Sequence, residues 1–212
     1  MGAFALALQG RVDARIAAGA VALAIVPAPF VAPELVGRMR GRADLAGALM
    51  LGTIVLSLIV VGSRGALAAG ALFAGTEAFA FSAMVANGLP AIRDLVLVPL
   101  RVIGWLALGL VLVASAFALP TLFQPPSSAS EPPLIVTSAI VALWLFAIGC
   151  VASVATARVV GGDVRAALGG AGLRDPALAV ALAMITAPDS TGVPLVYGVF
   201  CLGLAAFALR RR

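Results

Sequence analysis

Two long apolar stretches of this chain are broken near their middles by residues that a continuous helix does not accommodate. The first runs Ile16 to Val36 and carries Pro27, Pro29, Pro33 and Glu34. The second runs Ala166 to Ala187 and carries Gly169, Gly170, Gly172, Arg174, Asp175 and Pro176. Proline removes a backbone donor and glycine loosens the backbone, so each stretch frees polar main-chain groups in apolar surroundings. Lipid satisfies none of them. Irregular backbone at membrane depth survives only where protein or a wet cavity covers it. A pair of interrupted helices is also the best pointer in a sequence to the binding site of a secondary transporter.

Composition makes the apolar setting plain. The chain is 63% hydrophobic and 11% charged, against roughly 45–50% and about 25% for a soluble domain. An all-α polytopic membrane protein is expected, with residues 1–212 forming a single transmembrane domain. There is no lysine, so the net charge of +5 rests on arginine alone. Most arginines sit at the ends of apolar runs. That is the positive-inside pattern of a membrane protein rather than a nucleic-acid footprint. The absence of histidine removes the usual general base and the commonest metal ligand. No nucleophile elbow, phosphate loop or metal-spaced cysteine pair is present, so an enzyme is not expected. Cys150 and Cys201 lie inside apolar runs and read as small core residues. The N-terminus lacks the ordered regions of a removable signal peptide.

A spanning helix needs about 20 apolar residues. Seven candidates are present: Ile16–Val36, Leu45–Gly62, Ala66–Ala86, Leu95–Leu119, Leu134–Ala157, Ala166–Ala187 and Val193–Leu209. Thr121 to Pro133, rich in proline and serine, reads as the longest loop. With the C-terminus in the cytoplasm, the inside loops hold nine arginines: Arg38, Arg40, Arg42, Arg93, Arg158, Arg165, Arg210, Arg211 and Arg212. The outside holds three, Arg11, Arg15 and Arg64. This bias supports a multi-pass protein of the cell inner (plasma) membrane, with lipid as its partner and its C-terminus inside. The broken stretches are the first and sixth spans, so they cross in opposite directions. An inverted repeat of five spans would make them equivalent.

Three segments carry a resemblance. Ala18 to Thr53 reads AGAVALAIVPAPFVAPELVGRMRGRADLAGALMLGT, Gly169 to Ala183 reads GGAGLRDPALAVALA, and Val193 to Gly198 reads VPLVYG. They are similar to the fourth helix and start of the fifth, the ninth helix, and the start of the tenth in the bile acid:sodium symporter superfamily. Asp94 to Gly104 resembles its sixth or seventh helix region. The resemblance implies a five-plus-five inverted-repeat fold in which two discontinuous helices cross at mid-membrane. It implies that this chain corresponds to helices four to ten, with residues 1–10 as the tail of a preceding helix. The first two helices and most of the third would then be supplied by a partner chain or a second copy, or be missing from a truncated product.

Carried over position by position, the resemblance places the family's Ser-Asn pair at Ala32 and Pro33, followed here by Glu34. Its ninth-helix Glu falls at Gly170, its Gln at Arg174 and its Asn at Asp175. A fifth-helix hydroxyl falls at Thr53. Thr53 and Asp175 therefore keep an oxygen, the key carboxylate is replaced, and a fixed cation stands where sodium's neighbour belongs. Sodium is doubtful as a coupling ion on these grounds, and a proton is the alternative. The implied substrate site comprises Pro27, Phe30, Pro33, Glu34, Thr53, Gly170, Gly172, Arg174, Asp175 and Pro176, with no metal and no other cofactor.

The cost of a charge at mid-bilayer, about 2.5–3.5 kcal/mol on insertion scales, calls for a partner to Arg174. Asp175 and Glu34 are the candidates. Glu34 also lies four residues before Arg38, where an ordinary helical ion pair is the alternative. Glu34 and Glu77 are candidate proton-coupling groups; for Glu77 a neutral hydrogen-bonded carboxyl, or a partner for Arg101, is the alternative. Asp94 and Arg101 read as a structural pair. Trp105, Trp144 and Tyr197 read as packing or interfacial anchors. The functional expectation is a carrier of a small organic anion working by alternating access. The alternative is a non-transporting fragment or partner subunit of such a carrier.

Overall fold

The computed structural model describes residues 1–29, 32–62 and 133–210, together with positions 102, 113, 120 and 123. The expected spans at 66–86 and 95–119, most of the loop at 121–133, and Phe30, Arg64, Glu77, Arg93, Asp94, Arg101, Trp105, Arg211 and Arg212 lie outside the described residues. Among the described residues, all regular structure is helical.

The first broken stretch becomes two helices, α2 (Ala14–Ile25) and α3 (Ala32–Arg38), preceded by a short α1 (Gly2–Ala7). Asp13 caps α2 by accepting the Arg15 N–H at 2.8 Å. The helix stops at Val26, which precedes Pro27 and is extended, with ψ 150°. A proline ring clashes with an α-helical residue before it, so the chain leaves the helix there. The backbone recoils at Ala32, whose N–H reaches the Pro29 carbonyl at 2.9 Å.

α4 (Ala43–Gly62) follows a tight turn. α5 (Leu134–Val160) begins after Pro133 and ends at Gly161, which is left-handed at φ 72°. α5 is the one helix among the described residues long and apolar enough by itself to cross a membrane. The second broken stretch splits into α6 (Val164–Ala167), a π-helical turn (Leu168–Gly172), an extended link and α7 (Pro176–Thr186). A short 3₁₀ turn, Pro188–Ser190, leads into α8 (Gly192–Arg210).

The two broken stretches run antiparallel. α2 packs on α7 and on the turn after it, whereas α3 packs on α4, on α6 and on the π turn. α5 and α8 run side by side along them, with Phe146 edge-on to Tyr197 at 5.7 Å. The main core lies among α2, α5, α7 and α8, where Leu23, Val26, Leu145 and Tyr197 are fully buried. Trp144 faces outward from α5 and is 57% exposed, in keeping with an anchor; Tyr197 is a core residue instead.

One end of the molecule is stapled by polar groups from the two turns that meet there. Asp163 caps α6 and also accepts the Arg42 N–H at 2.6 Å. Arg165 returns the link, its Nη1 donating to the carbonyls of Met39 at 2.7 Å and Arg40 at 3.1 Å. The α3–α4 turn closes with Gly41 N–H on the Val36 carbonyl at 2.9 Å and Arg40 N–H on Gly37 at 3.0 Å. That is a Schellman closure, and it forces Arg40 to φ 60°. A left-handed residue with a side chain costs roughly 1–2 kcal/mol.

Gly170 is required by close approach. A Cβ there would lie 2.5 Å from the Ala46 carbonyl oxygen and 2.9 Å from Leu49 Cβ. Gly170→Ala should therefore destabilise the protein by about 1–3 kcal/mol, read as a lowered melting midpoint. A midpoint equal to wild type would show that α4 yields freely. The staple makes a second prediction. The Arg42 N–H, and then those of Arg165 and Ala166, hold the Asp163 carboxyl below its ordinary range. A lowered folded pKa contributes stability that is whole above about pH 4 and is lost as pH falls through the folded value. Asp163→Asn, which keeps a capping oxygen, should flatten the acid side of a melting-midpoint-against-pH curve. An unchanged acid slope would remove Asp163 from that role.

Candidate functional site

The breaks in the two stretches meet. The Asp175 N–H donates to the Pro27 carbonyl at 2.9 Å, joining the extended link of one to the extended link of the other. Every described backbone donor at the two breaks is then accounted for. Val26 N–H closes on Ala22 at 3.3 Å and Leu173 N–H on Leu168 at 3.1 Å. Ala28 N–H donates to Thr53 Oγ1 at 3.0 Å, and Arg174 N–H to the Tyr197 hydroxyl oxygen at 3.1 Å. Pro27, Pro29 and Pro176 have no N–H to satisfy.

The same device is used twice. Each break gives one amide to a hydroxyl on the continuous helix that follows it: Thr53 on α4, 25 residues after Ala28, and Tyr197 on α8, 23 residues after Arg174. Thr53 passes its own proton to the Met50 carbonyl at 2.7 Å, so its oxygen is aimed at the break by its own helix. The carry-over to Thr53 therefore falls at the crossing. Tyr197 falls there too, where the sequence suggested a packing or interfacial anchor. The signal was available in the near-equal offsets of the two hydroxyls.

Asp175 is 7% exposed and starts α7. Its Oδ1 accepts from the amides of Ala177 at 2.8 Å and Leu178 at 3.2 Å, with Pro176 in the first turn. Asp-Pro is a helix-start signature: the carboxylate caps while proline fills the position whose N–H would be idle. Asp175 and Pro176 thus reach the crossing as the start of a half-helix. Pro27 is fully buried and lends its carbonyl.

The surroundings of four further expected site residues are also defined. Glu34 does not pair with Arg174. It takes Arg38 Nη2 at 2.6 Å, one helical turn away on α3. At Gly170 the α4 backbone fills the space a side chain would need. Gly172 likewise lies against α5, where a Cβ would stand 2.8 Å from Ser153 Oγ and 3.1 Å from the Gly149 carbonyl oxygen. Pro33 lies on the α4 side, its Cγ 3.9 Å from where a Cβ at Gly47 would be.

Arg174 stands beside Asp175 at the crossing and brings a positive charge to it. The salt bridges among the described residues are Arg15–Asp13, Arg38–Glu34 and Arg42–Asp44, and none includes it. Its Nε is buried without a hydrogen-bond partner among the described residues. A guanidinium in that setting is a strong donor toward any carboxylate or similar anion. No group of three or more metal-type ligands occurs among the described residues. No protein-family model, curated protein or solved structure matches this chain.

Loss of either hydroxyl should strand a buried amide. Thr53→Val and Tyr197→Phe are each expected to cost about 1–3 kcal/mol, with Thr53→Ser close to wild type. Amide exchange at Ala28 and Arg174 checks this. Exchange unchanged in both variants would mean that the amides have other acceptors.

Proposed function

We propose that this chain forms the core of a membrane carrier for small organic anions, built like the bile acid:sodium symporters that its sequence resembles. In this reading it has seven spans, two of them broken, and lies in the plasma membrane with its C-terminus in the cytoplasm. The observation that carries the reading is the hydrogen bond from Asp175 N–H to the Pro27 carbonyl. Two unwound links that belong to oppositely directed stretches form a polar point between apolar helices. The repeated amide-to-hydroxyl device adds support for an inverted repeat.

Sidedness has support as well. The polar staple gathers Arg38, Arg40, Arg42 and Arg165 at one end, and α5 brings Arg158 there from its last turn. Arg11 and Arg15 lie at the opposite end, at the start of α2. That asymmetry follows the positive-inside pattern.

Arg174 is the substrate's counter-charge in this reading. Transport binding sites of this type aim half-helix N-termini at anionic groups. Here the Asp175 carboxylate already occupies the α7 N-terminus, so the guanidinium supplies the positive charge. Glu34, engaged by Arg38, loses its support as a coupling group. The sodium ligands that the resemblance would require are replaced, and sodium independence follows.

The test is uptake of a panel of labelled carboxylates into proteoliposomes. Arg174→Ala should abolish uptake at unchanged protein yield, and the rate should be flat across a sodium titration. Full activity in the variant would remove Arg174 from the mechanism. A steep sodium dependence would overturn the coupling assignment.

A further inference from the structure

The stapled end of the molecule carries more positive charge than it uses. Arg38, Arg40, Arg42, Arg158 and Arg165 are exposed there. The described acidic groups at the same end are already engaged. Glu34 holds Arg38 at 2.6 Å and Asp44 holds Arg42 at 2.7 Å. Asp163 accepts the backbone amides of Arg42, Arg165 and Ala166. Arg165 gives its Nη1 to two carbonyls. Arg40 and Arg158 enter no salt bridge among the described residues.

Arg40 is also an outlier in backbone terms. The α3–α4 and α5–α6 turns close with the same six-to-one backbone bond, Gly41 N–H on Val36 at 2.9 Å and Gly162 N–H on Ala157 at 2.8 Å. At the left-handed position one turn has Gly161, φ 72°, and the other has Arg40, φ 60°. Glycine would serve the fold there without strain. A side chain kept at a strained position, exposed and among other cations, points to work done by that side chain.

We infer that this end docks on the headgroups of anionic phospholipids, with Arg40 and Arg158 as its principal phosphate contacts. The inference rests on the membrane reading above. Guanidinium matches phosphate oxygens in a two-pronged geometry, and basic segments beside a membrane helix are drawn to anionic leaflets. The arginines are spread over an exposed end and do not converge on an enclosed pocket. That arrangement suits a charged surface rather than a single free anion. Attraction of this kind weakens with salt.

The experiment follows thermal unfolding of the full chain in neutral detergent, with phosphatidylglycerol, phosphatidylcholine or inorganic phosphate added. Phosphatidylglycerol should raise the midpoint of the wild type at low salt, with the rise shrinking as salt increases. Phosphatidylcholine and phosphate should not raise it. Arg40→Gly should melt no lower than wild type without lipid, yet show at least a twofold smaller lipid shift. Arg158→Gln should show a reduced shift too, which keeps the test decisive if the first variant folds poorly. Arg11→Gln, at the opposite end, should match wild type. Equal shifts in wild type, Arg40→Gly and Arg158→Gln overturn the inference, as does a phosphate shift equal to that of phosphatidylglycerol. Release of the chain from membranes by alkaline carbonate would overturn the membrane reading itself. Retention in the membrane with unaltered variant shifts defeats only the lipid contact.

Discussion

The structure depends on one backbone hydrogen bond made possible by two failures of helix. Pro27 ends α2 and leaves a carbonyl without a helical donor; Asp175 precedes α7 and has an amide without a helical acceptor. Each would cost free energy if buried alone. Facing each other at 2.9 Å, they remove both penalties at once. The breaks are complementary in chemistry as well as position. Prolines at 27 and 29 make the first link poor in donors, while the second link offers the amides of Arg174 and Asp175. Thr53 and Tyr197 take the amides that the links cannot pair between themselves.

Such a contact needs the surrounding helices to come close, and small residues permit it. Gly170 lets the π turn lie on the backbone of α4, and Gly172 lets it lie on α5. Small-residue contacts are the usual means by which helices in an apolar setting approach, because lipid provides little hydrophobic drive between them. At the far end of the crossing, Asp163 and Arg165 join the two turns through main-chain groups. The broken stretches are thus tied at a turn and at their centre. A link fixed at two points keeps its freed polar groups in register, which a simple kink does not.

Much of this was legible in the residues. The rule that a residue before proline leaves the α-region locates the first break at Val26, and Asp-Pro marks the restart of the second at Asp175 and Pro176. The antiparallel sense followed from the order of apolar runs. What was not legible turns on space rather than on residue type. A glycine where the resemblance expects a carboxylate reads equally as a lost ligand or as a close approach, and the Ala46 carbonyl shows the close approach at Gly170. Glu34 carried the same ambiguity between a long-range partner and its neighbour at the next turn. The short-range pair needs less ordering of the chain, and Arg38 has it. Tyr197 was missed because an apolar run hides which way its single hydroxyl points.

In the carrier reading, the position of Arg174 sets the energetics of a ligand at the crossing. A sodium ion that binds beside a substrate arrives with its own gradient and leaves with it, so its binding energy is coupled to transport. A guanidinium never leaves and is never deprotonated in practice, so it attracts an anion equally from either side. In the carrier reading, a fixed cation of this kind makes the substrate's own gradient the driving force unless a proton travels with it. The same charge must be stable when no anion is present. The partly exposed setting of the Arg174 side chain lets solvent reach it in that state. An arginine closed off by a carboxylate would be a structural pair. Among the described residues, the carboxylates of Glu34 and Asp163 are directed to other partners and that of Asp175 caps α7, so in the carrier reading the guanidinium answers to the substrate rather than to a structural ion pair.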